Sequence, residues 1–481
     1  MNEILDQDAT AQLAALASKR VSAVELLKAS LARHAETHAT LNAVIAADPE
    51  RALERAFGAD DARARGEAGP LTGLPMTIKD TFDVAGMAAS SGLAEYRRRM
   101  TGDAAAVAHA RRAGAVIWGK TNVPVLAADW QSVNGLYGAT SNPWDPTRTP
   151  GGSSGGAAAA LAAHVTPLEI GSDIGGSLRV PAGFCGVFSH KPTWGLVSQR
   201  GHVPPSPDSH TERDLNVVGP MARSARDLRL LLSVIENGSL APKAPPADLH
   251  QARIGLWLDD PLCPVDPEVR AVLESLADDL RAAGAEVEPI ASPVDMRVLL
   301  GSYQTLLGAV LGEDMPPRML RGMELMRPFA RLAMARGAGP LSTAAMTLAY
   351  TARHREWMAA NAVRARLRHE ISGQFDRWHA ILAPITPVPA FPHDRRAFTR
   401  RSLTTSDGKT LPYNSLITWI SLATALHLPT TAVPAGLTAS GLPVGAQLIG
   451  PLGGDSRILA IAQAIDENIH GFRAPPPIPP L

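Results

Sequence analysis

Residues 150–186, PGGSSGGAAAALAAHVTPLEIGSDIGGSLRVPAGFCG, carry the features that decide the fold. The alanines that follow the first glycine–serine segment predict a helix over residues 155–163. Residues 168–170 have the apolar character of a short buried strand. A second glycine-rich segment follows that strand directly, so a helix and a strand are each joined to a glycine–serine loop. This pattern indicates an α/β layer.

The alternation of helix and strand continues on both sides of this stretch. Apolar runs at residues 74–78 and 115–118 predict strands, with a helical stretch at residues 103–113 between them. Farther along, residues 253–258 and 286–290 are predicted strands that flank an amphipathic helix over residues 266–283, with Pro267 in its first turn. Helical spacing marks the first ~60 residues, where Ser22 is a candidate cap. The chain is therefore predicted to be an α/β protein.

Composition and charge exclude several classes of protein. The 481 residues are 45% hydrophobic and 19% charged, which supports a large core. The 46 basic and 46 acidic residues give a net charge of zero, without the basic excess of most nucleic-acid binders. The acidic start lacks the features of a signal peptide, and the longest small apolar stretch is too short to span a membrane. We therefore expect a soluble, cytoplasmic protein.

The common catalytic and metal-binding motifs are missing from the sequence. It contains no HExxH, GxSxG, GxxxxGK[ST] or strand-linked GxGxxG pattern. The two cysteines, Cys185 and Cys263, cannot form a multi-cysteine metal site. We expect no metal and no cofactor.

Lysine is rare, which draws attention to Lys79. Only seven of the 46 basic residues are lysines. Lys79 follows an apolar run, and burial of a lysine lowers its pKa until the amine can act as a base. The alternative is a lysine at a strand end that reaches water or pairs with Asp80.

The two glycine-rich segments each contain a candidate serine. Ser177 follows two glycines just beyond a predicted strand, where backbone N–H groups could surround a substrate oxygen, so it is a candidate nucleophile. The alternative is a tight glycine turn with an exposed serine. Ser153 lies in a segment that could equally be a flexible linker or a phosphate-binding loop, although no lysine follows it.

Together, three segments resemble the signature of the amidase signature family. They are GLPMTIKD at residues 73–80, PGGSSGG at residues 150–156 and GSDIGGSLRVPAGFCG at residues 171–186, with Ser153 and Ser177 24 residues apart. Flanking segments agree, including residues 114–122, 191–198, 218–224 and 441–450. The resemblance covers roughly residues 10–470 and is weakest over residues 225–345.

The resemblance implies a fold and a set of site residues. The fold is α/β, with a central mixed β-sheet covered on both sides by α-helices. The implied triad has Ser177 as nucleophile, Ser153 as bridging serine after a cis peptide bond with Gly152, and Lys79 as base. An oxyanion hole is also implied, formed by the backbone N–H groups of Ile174, Gly175, Gly176 and Ser177. The implied supporting polar residues are Ser154, Asp173 and Arg179.

The organisation of the chain and its substrate pocket are also implied. Residues 1–481 form one domain, with a signature core at residues 70–225 and a variable substrate entrance at residues 285–345. Ala127 and Ala128 align with a pocket-lining segment and are predicted to bind substrate, although packing within a helix is equally consistent with two alanines. Four histidines are interpreted as packing or surface residues: His109, His190, His202 and His210.

The predicted protein is an enzyme, an amidase that cleaves the C–N bond of a small, aryl or alkyl amide, with anilides and carbamates included. Its expected partner is a small-molecule amide, with no nucleic acid and no membrane, and the chain is expected to be a monomer or homodimer. The alternative is the amidase-like subunit of a tRNA-dependent amidotransferase complex. The zero net charge and the divergent residues 285–345 argue mildly against that alternative.

Overall fold

The computed structural model describes residues 2–204, 211–238 and 248–478. A proline-rich joint that the sequence predicts around residues 240–250 falls mostly outside these ranges. His210 and the last three residues of the proline-rich tail also lie outside the described residues.

Helices form much of the described chain. The α-helices are α1 Asn2–Asp6, α2 Ala9–Ala17, α3 Ala23–Leu41, α4 Pro49–Ala64, α5 Ala105–Arg112, α6 Gly155–Ala162, α7 Arg179–Cys185, α8 Ala225–Ile235, α9 Pro267–Ala282, α10 Met296–Gly312, α11 Pro317–Ala335, α12 Thr343–Tyr350, α13 His354–Ser372, α14 Gln374–Arg377, α15 Thr418–Ala425 and α16 Asp455–Asn468. Short 3-10 helices cover Ala94–Tyr96, Val125–Ala127, Leu249–Gln251, Phe398–Arg400 and Tyr413–Ile417.

The strands are short. They are β1 Val44–Ala47, β2 Pro75–Lys79, β3 Val116–Thr121, β4 Val133–Asn134, β5 Gly138–Ala139, β6 Leu168–Asp173, β7 Phe188–Lys191, β8 Val217–Ala222, β9 Arg253–Leu256, β10 Glu286–Pro289, β11 Ala380–Pro384, β12 Ser402–Thr404, β13 Thr410–Pro412, β14 Thr430–Leu437 and β15 Pro443–Ile449.

One large sheet runs through the described residues. It has 11 strands in the order β1-β3-β2-β6-β8-β7-β14-β15-β11-β9-β10. Strands β3, β2 and β6 are parallel neighbours, as are β11, β9 and β10. The pairs in the middle of the sheet are antiparallel. The sheet is mixed, which confirms the predicted α/β class.

Helices cover both faces of this sheet. Neighbouring residues of a strand point to opposite faces, and in β11 Ala380 and Leu382 join one apolar core while Ile381 and Ala383 join another. The first core takes residues from α3, α8, α9 and α16, and the second from α7, α10, α13 and α15. The predicted cover on both sides is therefore confirmed.

Local sequence signals explain where the helices begin. The Ser22 hydroxyl accepts a hydrogen bond from the Glu25 N–H at the start of α3, and the Glu25 carboxylate accepts from the Ser22 N–H, which is a capping box. Pro267 occupies the first turn of α9, as predicted. Residues 343–377 form three consecutive helices, α12, α13 and α14, with breaks after Tyr350 and Ser372.

In the part of the chain that the structure describes, no helix has both the length and the apolar character that a bilayer crossing requires. Cys185 and Cys263 are buried and unpaired.

Candidate active site

The ends of two parallel strands place the candidate residues together. β2 ends at Lys79 and β6 ends at Asp173, and the two strands pair in parallel. Their carboxyl ends therefore meet at the same edge of the sheet. The glycine–serine loop that leads into α6 lies against this edge, and its peptide bond between Gly152 and Ser153 is cis, as the resemblance implied.

Lys79 and Ser153 are in direct contact. Lys79 Nζ lies 2.8 Å from Ser153 Oγ, and both side chains are fully buried. The alternative pairing of Lys79 with Asp80 is not found, because the Asp80 carboxylate pairs with Lys120 Nζ at 2.8 Å. Lys79 instead donates to the neighbouring strand, with Nζ 2.9 Å from Ser172 Oγ and 3.4 Å from the Ser172 carbonyl oxygen.

The surroundings of Lys79 favour the neutral amine. Burial lowers the pKa of Lys79 to about 7, and the nearby carboxyls of Asp173 and Glu169 offset only part of this effect. Burial raises the pKa of Glu169 to about 8, so near neutral pH this carboxyl carries little negative charge. A neutral amine at physiological pH can accept a proton.

Ser177 lies beside the serine loop and is buried, though less completely than Ser153. The Ser154 N–H donates to the Ser177 carbonyl oxygen at 3.2 Å, which fixes the two glycine-rich segments against each other. Ser177 is 6% exposed, whereas Ser153 is fully enclosed. Among the described residues no hydrogen bond joins the Ser177 hydroxyl to that of Ser153. Such contacts are often loose without a substrate.

One of the four N–H groups predicted for the oxyanion hole already has an acceptor. The Gly176 N–H donates to Asp173 Oδ1 at 2.9 Å. The Ile174 carbonyl accepts from the Tyr303 hydroxyl at 2.9 Å, and the Gly175 N–H of that trans peptide therefore points away from Tyr303. This leaves the N–H groups of Ile174, Gly175 and Ser177 as candidates.

A buried ion pair holds this loop. Arg179 donates to both carboxylate oxygens of Asp173 at 3.0 Å, and both side chains are fully buried. Burial by itself raises the pKa of Asp173, but Arg179 outweighs it and holds the pKa below its ordinary value. The remaining N–H groups of Arg179 also have acceptors, which are Ile420, Thr424 and Gln447. Ser154, by contrast, supports the site through its backbone, since its Oγ has no hydrogen-bond partner in the described structure.

Replacing Arg179 with methionine is expected to lower the free energy of unfolding by about 3–5 kcal/mol, because it leaves the Asp173 carboxylate buried without its counterion. Urea denaturation measures this change. The matched control is Arg366→Met, which removes an exposed ion pair with Glu370 and is expected to cost less than about 0.5 kcal/mol. Equal costs for the two variants would contradict the structural role of Arg179.

Sequence reasoning missed three residues at the site. Ser172, two positions after the end of the predicted strand, contacts Lys79. His202, interpreted from the sequence as a packing or surface residue, contacts Ser172, with 2.8 Å between Nε2 and Oγ. Ser132 supports the loop, because its hydroxyl accepts from the Gly155 N–H at 3.0 Å and lies 3.1 Å from the Gly151 carbonyl oxygen. Only the position of Ser172 inside the signature segment could have indicated its role.

The predicted substrate residues Ala127 and Ala128 lie near the loop but outside any α-helix. Ala127 ends a 3-10 turn and is partly buried, whereas Ala128 is exposed. The next residues pack against the serine loop so closely that a Cβ on Gly152 would lie 2.5 Å from the Asp129 carbonyl oxygen. Trp130 follows, and its Nε1–H donates to the Gly175 carbonyl at 2.7 Å. The role of both alanines in substrate binding stays a prediction.

Within the ranges described, no group of three or more His, Cys, Asp or Glu residues is arranged to hold a metal ion.

Known proteins resemble this chain over nearly its whole length. A family model described as Amidase matches residues 25–459. One subunit of the glutamyl-tRNA(Gln) amidotransferase of Chloroflexus aurantiacus is 32% identical over 493 residues, which cover 96% of this chain and 97% of the relative. A crystal structure of an amidase has a TM-score of 0.78 at 28% identity and covers 96% of this chain and 100% of its own. The 6-aminohexanoate cyclic dimer hydrolase complexed with substrate has a TM-score of 0.78 at 25% identity, and the match covers 98% and 99% of the two chains.

These names correct the prediction about partners. From the sequence we expected a small-molecule amide as partner, no nucleic acid, no membrane, and a monomer or homodimer. The curated relatives are instead named as one subunit of an amidotransferase, and the name includes glutamyl-tRNA(Gln). That prediction is therefore wrong. Its main support was the zero net charge, which is a sum over the whole chain and does not describe any one surface.

Proposed function

The chain belongs to the amidase family of hydrolases that act on carbon–nitrogen bonds, and from this premise we propose that Ser177 is its nucleophile, with Ser153 and Lys79 as the proton relay. The observation that carries the proposal is the 2.8 Å contact between Lys79 Nζ and Ser153 Oγ, made by two fully buried side chains. A buried lysine with a lowered pKa has a free electron pair at neutral pH. An arginine there would stay charged and could not act as a base.

The proposed reaction proceeds in two halves. Neutral Lys79 takes the proton of Ser153 as Ser153 takes that of Ser177, and Ser177 Oγ forms a bond to the amide carbon. The N–H groups of Ile174, Gly175 and Ser177 donate to the resulting oxyanion. The relay then returns the proton to the leaving nitrogen as the C–N bond breaks. Water repeats the sequence on the acyl-enzyme and releases the acid.

As the setting of this chemistry we propose the amidase subunit of an amidotransferase that acts on a tRNA-bound substrate. Support comes from curated relatives of this name, which are matched over nearly their whole length. A stand-alone amidase is the second candidate. The observation that favours it is the full-length likeness to the amidase and to the 6-aminohexanoate cyclic dimer hydrolase.

The entrance to the site is proposed to include part of residues 285–345. A cavity of about 230 Å³ lies between residues 211–214 and α10, with Trp357 on its wall. Tyr303 of α10 also contacts the loop that carries the oxyanion donors. The signature core at residues 70–225 would then supply the reacting groups, and α10 one wall of the approach.

Two measurements test the proposal. A fluorophosphonate should label the chain at Ser177, as read by mass spectrometry of peptides, and labelling at any other residue would contradict the assignment of the nucleophile. Release of ammonia or amine from glutamine and from a chromogenic anilide should then be compared for the chain alone and for the chain with amidotransferase subunits from the same genome. Release that depends on those subunits supports the amidotransferase setting. Rapid turnover by the chain alone supports the second candidate.

A further inference from the structure

We propose that His202 is a positioning residue that acts through Ser172 to direct the electron pair of neutral Lys79 at Ser153. The inference rests on the proposed function, because it concerns the base of that relay. A continuous chain of hydrogen bonds carries it, from the Pro204 carbonyl through His202, Ser172 and Lys79 to Ser153.

The far end of this chain fixes its direction. His202 Nδ1 lies 2.7 Å from the Pro204 carbonyl oxygen, and a carbonyl can only accept a hydrogen bond. Nδ1 therefore carries the proton, and in the neutral imidazole Nε2 must then be an acceptor. Nε2 lies 2.8 Å from Ser172 Oγ, so the Ser172 hydroxyl donates its single proton to His202. The lone pairs of Ser172 Oγ remain for Lys79.

The same reasoning orients the amine. A neutral lysine has two N–H bonds and one electron pair on Nζ. Two acceptors belong to Ser172, whose Oγ lies 2.9 Å from Nζ and whose carbonyl oxygen lies 3.4 Å from it. The third contact of Nζ is Ser153 Oγ at 2.8 Å. With both N–H bonds directed at Ser172, the electron pair faces Ser153 and can take its proton.

The environment of His202 keeps the imidazole neutral. It is 5% exposed, and its ring meets that of Phe82 edge-on with 4.9 Å between centroids. Burial and the charges of Lys79 and Arg213 lower the pKa of His202 to about 3. The tautomer set by Pro204 is therefore kept across the pH range in which the proposed enzyme would act.

Ser172 alone cannot impose this direction. A serine hydroxyl rotates freely, and without an acceptor at His202 its proton could turn toward Nζ. Ser172 would then donate to the electron pair of Lys79 and compete with Ser153. His202 removes that competing arrangement.

The test compares His202→Leu, which removes the acceptor, with His202→Gln, whose side-chain oxygen can reach the place of Nε2. The readout is the second-order rate of labelling of Ser177 by a fluorophosphonate, which needs no knowledge of the substrate. We expect His202→Leu to slow labelling by about 10–100-fold, as loss of an outer hydrogen-bond partner does at metal sites. His202→Gln should recover most of that loss. A His202→Gln variant as slow as His202→Leu would overturn the proposal.

A double-mutant cycle separates positioning from packing. If His202 acts through Ser172, the His202→Leu/Ser172→Ala double variant is no slower than the slower single variant. Losses that multiply would overturn the proposal, because they would show that His202 acts by another route.

His190→Gln is the matched control, since His190 is buried with contacts to Thr431 and Asp455 away from the relay, and its labelling rate should equal that of the wild type. If the wild-type chain is not labelled at Ser177, the proposed function itself is wrong. If the wild type and His202→Leu are labelled at equal rates, only the positioning role of His202 is wrong.

Discussion

Replacing Ser177 with alanine is expected to lower amide turnover by at least about 10⁴-fold and to leave the fold intact. The substitution removes the oxygen that the proposed mechanism joins to the amide carbon when the acyl-enzyme forms. It costs little stability, because the Ser177 hydroxyl makes no hydrogen bond among the described residues. Steady-state turnover measures the loss, and urea denaturation together with circular dichroism measures the fold.

The matched control for this variant is Ser189→Ala. Ser189 is a buried serine on β7, and its Oγ likewise has no hydrogen-bond partner within the described chain. Its replacement should keep turnover within about twofold of the wild type, since surface or unpartnered polar groups away from the chemistry contribute little. If Ser177→Ala keeps more than a hundredth of the activity while the control behaves as expected, Ser177 is not the nucleophile.

Lys79, Ser153 and Ser177 could be predicted from the sequence, because each lies in a short segment whose residues indicate its role. Lys79 ends an apolar strand, and the glycines beside Ser153 and Ser177 permit an approach that no larger residue allows. A Cβ on Gly156, for example, would lie 2.3 Å from the backbone nitrogen of Asn122. The predicted strand and helix boundaries lie within a few residues of the observed ones, because apolar periodicity is also a property of short segments.

The contacts between distant segments could not be predicted. His202 meets Ser172 across 30 positions of sequence, and nothing in the local pattern around either residue indicates the pairing. Asp80 pairs with Lys120 rather than with its neighbour Lys79, because the two strands that carry the lysines are adjacent and parallel.

The net charge misled the prediction of partners for a different physical reason. A sum of zero says nothing about where charges lie. Helix α11 and the residue that follows it expose four arginines, Arg318, Arg321, Arg331 and Arg336, and one acidic residue, Glu324. A local basic surface of this kind is compatible with an uncharged whole chain, so zero charge could not exclude an acidic partner.

The second large effect is expected for Lys79→Met, which should lower turnover by at least about 10³-fold at every pH, because it removes the base and the contact to Ser153. The wild-type chain should show an acidic limb in kcat/KM with an inflection near the pKa of Lys79, which is about 7. Below that pH the lysine becomes charged and kcat/KM falls by about tenfold per pH unit. Above it the amine is neutral and the profile is level.

The stability of Lys79→Met shows whether its turnover is lost because the base is missing or because the variant does not fold. Burial lowers the pKa of Lys79 in the folded chain, so the unfolded chain binds the extra proton between that value and about 10.4. Below about pH 7, Lys79 is charged in both states, and its burial lowers the free energy of unfolding by the largest amount. This destabilisation becomes smaller as the pH rises from about 7 to about 10.4. Methionine carries no such penalty, so thermal unfolding near neutral pH should show Lys79→Met to be at least as stable as the wild type.

A second buried lysine supplies the decisive control. Lys191 is fully buried on β7, burial likewise lowers its pKa to about 7, and its Nζ donates to the Pro192 carbonyl rather than to either serine of the relay. An inflection near pH 7 could therefore come from either lysine. If Lys191→Met keeps turnover and the inflection, the acidic limb belongs to Lys79. If Lys191→Met removes the inflection, or if Lys79→Met retains turnover, the base is not Lys79, and the short contact between Lys79 and Ser153 is structural.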